Sequence, residues 1–175
     1  WVWEHQALTR ARFCAGDASI GAAFENVRRE ILTMKRDRQK LAEEVVTMRE
    51  RMFQAHPNES GLFDVKHGQG GMIDIEFVVQ YTVLAHAHQC PQLVGNLGNI
   101  ALLKMAADLG LIPADLAEGA REAYREFRRT QHRLRLNDAE YARVPFETVA
   151  PHVLAARALW RFAFGDQPKH PKRRI

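Results

Sequence analysis

Lys66-His67-Gly68-Gln69-Gly70-Gly71 runs directly into an apolar, helix-forming segment, a combination with the physics of an anion site. Glycines let neighbouring backbone N–H groups point at one oxygen, and a helix N-terminus adds partial positive charge. Lys66 would complete such a cradle with a side-chain cation. The same residues also fit a tight lead-in to a buried helix with no ligand, and both readings stand at this level.

Asp74-Ile75-Glu76 follows at once and suggests the carboxylate pair that nucleotidyl transfer uses to hold metal ions. Residues two apart share a face on a strand, but on a helix they diverge by roughly 200°. Phe77 to His88 favours helix, so this pair is not expected to grip one ion. Both acids then fall in a first helical turn, where negative charge is favoured by roughly 0.3–1 kcal/mol. For Glu76 a ligand-facing role stays open beside that reading. His86, His88 and Cys90 offer only one pair on a common helical face, so no metal site is expected there. Arg125, Arg128, Arg129, Arg133 and Arg135, with His132 one turn after Arg128, form a basic run. It reads as a solvated helix face or as a surface for an acidic or phosphate-bearing partner.

The elements that must position these residues are helical. Trp3 to Cys14 predicts a short helix, ended by Gly16 and followed by Asp17 as the next N-cap. Ile20, Phe24, Val27, Ile31 and Met34 recur at helical spacing on one stripe, and Leu41, Val45, Met48 and Met52 on one face again, so two long helices, or one bent one, are expected here. His56 to Gly61 reads as a loop, and Phe63 to Lys66 as a short extended piece. Met72 to His88 is apolar on most sides, the mark of a central helix. Ile100 to Leu109 with Gly110 as its cap, a long helix opened by Pro113 at its first position, and a last helix from Phe146 to Phe164 complete the set. The expected fold is all-α, a bundle of about seven helices spanning residues 1–167.

Composition bounds the function. With 175 residues, 46% hydrophobic and 26% charged, the chain suits one soluble domain, and no apolar run approaches the roughly 20 residues of a membrane span. The net charge of +4 and pI near 9.3 hint at nucleic acid, but Lys169, Lys172, Arg173 and Arg174 carry it. Without those four of the 25 basic residues, 21 face 21 acidic ones, so residues 168–175 read as a basic disordered tail and nucleic acid is disfavoured. Cys14 and Cys90 sit in no ligand spacing and point to reduced thiols in a cytoplasm. The chain opens on Trp1 inside a helical pattern, which suggests a piece of something longer.

Taken in order, Trp3-Glu4-His5-Gln6-Ala7-Leu8-Thr9-Arg10-Ala11-Arg12, then Phe63-Asp64-Val65-Lys66, Gly70-Gly71-Met72-Ile73-Asp74-Ile75-Glu76-Phe77 and Gln80-Tyr81 resemble the glutamine synthetase adenylyltransferase family. Tyr124, Phe127, Arg128, His132, Leu134 and Leu136 extend the match. The resemblance implies the helical domain that follows the adenylyl-transferring core, related to the helical domain of PII-uridylyltransferases. It implies a parent nucleotidyltransferase that moves AMP from ATP to a tyrosine of glutamine synthetase with Mg²⁺, regulated by glutamine and the PII signal protein. The Gly-Ser turn and Asp-x-Asp strand of that core are absent from this sequence. The chain is therefore expected to be inactive alone, to need no cofactor of its own, and to support a core through Lys66, Gly70, Gly71, Glu76, Arg10 and Arg12. The alternative is a regulatory module that docks PII or glutamine through Arg125, Arg128, Arg129 and His132.

Overall fold

Two aspartates punctuate the first third of the chain in the computed structural model, which describes residues 1–166. Asp17 accepts from the Ser19 N–H at 2.7 Å, and Asp37 accepts from Gln39 and Lys40 at 2.9 and 3.0 Å. Such caps satisfy N–H groups that a helix start leaves without partners. They begin α2 (Ala18–Leu32) and α3 (Arg38–Gln54), which follow a short α1 (Val2–Leu8). The remaining helices are α4 (Met72–His86), α5 (Asn99–Asp108), α6 (Ala114–Leu136) and α7 (Ala150–Phe164), with 3-10 turns at Pro91–Val94 and Phe146–Thr148. The described residues thus hold seven α-helices, as the patterning predicts.

α4 is the axis of the bundle. Eleven of its 15 residues are buried, and α1, α3, α5, α6 and α7 all pack against it. Ile75, Val78, Val83 and Leu84 are essentially sealed from solvent, and full burial of such a side chain contributes about 1.5–3 kcal/mol. On α6 the buried positions Ala117, Ala120 and Ala123 are small, which lets α5 and α7 approach its backbone closely.

The bundle also contains a two-residue antiparallel ladder, β1 (Phe63–Asp64) with β2 (Arg143–Val144), in the register Phe63 to Val144 and Asp64 to Arg143. Phe63 to Lys66 is expected to be extended; its partner, about 80 residues away, has no local signature.

Three sequence expectations need correction. The first helix stops at Leu8 rather than Cys14, because Thr9 turns its hydroxyl onto the Gln6 carbonyl at 2.6 Å and the chain tightens there. Pro113 is the N-cap of α6 rather than its first residue. The last helix begins at Ala150, with Phe146–Thr148 as a separate turn.

On α2 the apolar stripe faces outward, with Ile20 68% exposed and Val27 and Met34 also open, while Arg28 is only 1% exposed. Arg28 donates to the Val94 and Leu8 carbonyls at 2.5 and 3.4 Å and to Glu25 at 2.7 Å, so polar bonds set the rotation of this helix. Periodicity reports that a face exists, but not which neighbour it meets. The expected tail, residues 168–175, lies outside the described residues, as does the end of the expected domain at 167.

Candidate functional site

The glycine-rich segment is folded by Asp64. Its carboxylate Oδ1 accepts from the Lys66 and His67 N–H groups at 2.9 and 2.8 Å, and its carbonyl accepts from Gly68 at 2.9 Å. Gly71, Met72 and Ile73 donate back to Gly68, Val65 and Lys66. The Gly70 N–H goes to Asp74 Oδ2 at 2.6 Å. The N–H groups that an anion cradle would need are therefore occupied within the loop, and the anion held by Gly70 is the Asp74 side chain. The second reading, a tight lead-in to a buried helix, describes this loop.

Asp74 is completely buried, and the Arg49 Nε from α3 meets its Oδ1 at 2.5 Å. Arg49 Nη2 also donates to the His67 and Gly68 carbonyls at 2.8 and 3.2 Å, while Arg157 of α7 donates to the Gln69 carbonyl at 3.1–3.2 Å. Two arginines from different helices thus clamp the loop onto α4. Gly70 lies at φ +84°, and a side chain there would strike Val153 and Arg157. Both the backbone conformation and the close approach require glycine. The divergence expected for Asp74 and Glu76 is realised; Asp74 falls in the first turn as expected and is also half of an internal ion pair, whereas Glu76 lies beyond that turn.

Glu76 turns the other way, with its side chain 17% exposed, into a polar network that joins four helical elements. Arg10, just after α1, forks onto it with Nη2 2.9 Å from Oε1 and Nη1 3.3 Å from Oε2. The Tyr124 hydroxyl of α6 donates to Oε1 at 2.8 Å and accepts from Asn99 Nδ2 of α5 at 2.8 Å. One turn further along α4, Gln80 accepts from Gln6 at 2.9 Å. Burial opposes the charge on Arg10, but the adjacent Glu76 outweighs it, so the guanidinium is held more firmly protonated than usual. Burial and the Glu76 charge together raise the Tyr124 phenol.

Of the site residues expected from sequence, Arg10 and Glu76 come together; Lys66 lies half-buried on the loop, and Arg12 is exposed. Gly70 and Gly71 are buried beneath the loop. On α6, Arg125 and Arg129 already face Glu118 and Glu126, at 3.7 and 2.7 Å. Arg128 instead lies 3.4 Å from His132 Nε2. Arg49, Asn99, Gln6 and Gln80 were not picked out for these roles. Arg49 carries a signal in retrospect, since it sits four residues after Val45 and eight after Leu41, on the apolar stripe of α3.

Among the described residues, no group of three or more His, Cys, Asp or Glu side chains could hold a metal ion, and no helix is long and apolar enough to cross a membrane. A family model described as GlnD PII-uridylyltransferase matches residues 33–163, three quarters of the chain. The chain belongs to the GlnD PII-uridylyltransferase family. Within that family its similarity is to proteins named bifunctional glutamine synthetase adenylyltransferase/adenylyl-removing enzyme. It is 56% identical to the one from Aromatoleum aromaticum over 171 residues, covering 95% of this chain. The protein from Chromobacterium violaceum is 57% identical over 164 residues and that from Nitrosomonas europaea 50% over 179, each covering 94% of the chain. The chain spans about 18–19% of the length of these relatives. The resemblance drawn from the residues is thereby borne out. The family match takes in α3 to α7, and so both the Arg49–Asp74 pair and the Glu76–Tyr124 contact.

Proposed function

We propose that this chain is the helical part of a cytoplasmic enzyme that transfers AMP from ATP to a tyrosine of glutamine synthetase, and that it supports the catalytic core instead of carrying it. The observation that carries the reading is the state of its two central carboxylates, set beside the similarity to adenylyltransferases. Asp74 is neutralised by Arg49, and Glu76 is shared by Arg10 and Tyr124. Neither fits as a ligand for Mg²⁺, so the groups that hold the metal and activate the attacking oxygen belong to the core. In this reading Lys66, Arg10, Arg12 and Glu76 line the face presented to the core, and Gly70 and Gly71 give the loop beneath them its shape.

Glutamine and the PII signal protein would act on the whole enzyme. A docking role for Arg125, Arg128, Arg129 and His132 has less support, because two of the three arginines are already engaged by glutamates. The test is transfer of labelled AMP to glutamine synthetase by a full-length relative carrying this segment. Lys66→Ala should cut the rate about tenfold or more while the melting temperature holds. Unchanged turnover rejects the core-facing role, and labelling by the isolated chain rejects the reading as a whole.

A further inference from the structure

We propose that the outward apolar stripe of α2 is the seat of a helix from the remaining polypeptide of the full-length protein. Within α2, Ile20, Phe24, Val27 and Ile31 follow one another at steps of four, three and four, the repeat by which helices pack side by side. Ile20 and Val27 are 68% and 54% exposed, Phe24 and Ile31 are partly exposed, and Met34, just past the helix, continues the row at 51%. The Phe13 ring lies against Gly21, next to Ile20, and widens the apolar surface; a Cβ at Gly21 would come within 2.8 Å of it. The buried positions of α2 are Gly21, Arg28 and Leu32, which lie on another face, about 90° around the helix from the stripe. α2 is therefore anchored to the bundle by one face and keeps a second, ordered apolar face for another neighbour.

Single exposed apolar side chains are ordinary, but a row at helical spacing marks an interaction surface. The chain spans about 18–19% of the length of its relatives, so in those proteins most of the polypeptide is available to cover it. A second copy fits less well. A face of about three turns, roughly 16 Å long and one helix wide, falls well short of the roughly 800 Å² per partner of a standard interface. A segment of the same polypeptide meets the stripe at an effective concentration near millimolar, so a small seam suffices. Charge favours the same occupant: α2 carries two arginines and two glutamates, with Arg29 paired to Glu25 at 3.1 Å, so its flanks have no surplus of either sign to draw an acidic or basic partner. The helix that fits presents its own apolar residues at steps of three and four.

This rests on the reading of the chain as part of a larger enzyme and names a surface by which it joins the rest; its test measures no adenylyl transfer. Hydroxyl-radical footprinting, read by peptide mass spectrometry, is applied to the isolated chain and to a full-length relative carrying this segment. Ile20, Val27 and Met34 should be modified several-fold less in the full-length protein, and dilution should not change this. In that protein Val27→Asp should raise modification of Ile20 and Met34 several-fold, whereas Asn26→Asp, an exposed position off the stripe, should leave it unchanged. Val27 is more than half exposed, so the aspartate should not lower the melting temperature of the isolated chain. The pair of variants in the full-length protein stands without the isolated chain. Equal modification in the two proteins, or equal effects of Val27→Asp and Asn26→Asp, overturns the proposal. Protection that fades on dilution assigns the stripe to a second copy and overturns it as well. A protected stripe in a protein that transfers no AMP leaves this surface standing and rejects the proposed function; an open stripe in an active enzyme does the reverse.

Discussion

Arg49 and Asp74 meet between α3 and α4 with Nε 2.5 Å from Oδ1, their side chains 4% and 0% exposed. A pair so fully withdrawn from water is costly to split, since removing one partner strands a buried charge. Asp74→Ala should therefore destabilise the fold by about 3–5 kcal/mol, lowering Tm by roughly 6–20 °C in a domain of this size. Arg49→Met combined with Asp74→Leu should be markedly less damaging than either single change. Thermal unfolding of the three variants checks this, and a double variant as unstable as the sum of the singles contradicts it.

Gly70 and Gly61 both have positive φ, at +84° and +72°, but only Gly70 is crowded. A Cβ at Gly70 would come within 2.7 Å of Val153 Cγ1, whereas none of the molecule lies within 4 Å of one at Gly61. Gly61→Ala should cost only the conformational term of about 1–2 kcal/mol. Gly70→Ala should cost roughly 2–5 kcal/mol, because overpacking adds to it. Urea denaturation of the two variants separates these terms.

Tyr124→Phe removes a hydroxyl that both donates to Glu76 and accepts from Asn99. The loss should be about 1–3 kcal/mol, the cost of leaving buried polar groups without partners. In a double-mutant cycle with Glu76→Gln the two changes should couple by about 0.5–3 kcal/mol. Strict additivity would show that the contact contributes nothing.

His67 stacks on His56 with ring centroids 4.0 Å apart. Burial lowers the His67 pKa; Asp64 opposes this, while His56 and Lys66 reinforce it. The unfolded chain then binds a proton more readily than the folded one. Stability from this group is present above its ordinary value of about 6.5 and is lost as pH falls through the depressed folded value. Urea unfolding between about pH 7.5 and 5 should show a decline in stability that flattens in His67→Gln. His5 and His86 are shifted in the same direction, so some decline should persist in that variant.

The helices were readable because α4 is apolar on nearly every side and Asp17 is a clear cap, whereas the cap at Asp37 lies hidden in a charge-rich stretch. The divergence of Asp74 and Glu76 followed from helical geometry alone. Which way α2 turns was not legible, because the buried Arg28 that orients it reads locally as one more surface cation. The internal hydrogen bonding of the glycine-rich loop was hidden for a related reason. Its donors are satisfied nearby, by Asp64 and Asp74, but its carbonyls are bound by Arg49 and Arg157, 18 or more positions away on other helices. Spacing within six residues cannot reveal such partners.

The short ladder between Phe63–Asp64 and Arg143–Val144 ties α4, α5 and α6 into a single closed circuit of chain. Helical hairpins can form early from neighbouring segments, but this circuit cannot shut until both ends have travelled to each other. The loop that leads into α4 should thus be among the last parts to reach native order after dilution from denaturant.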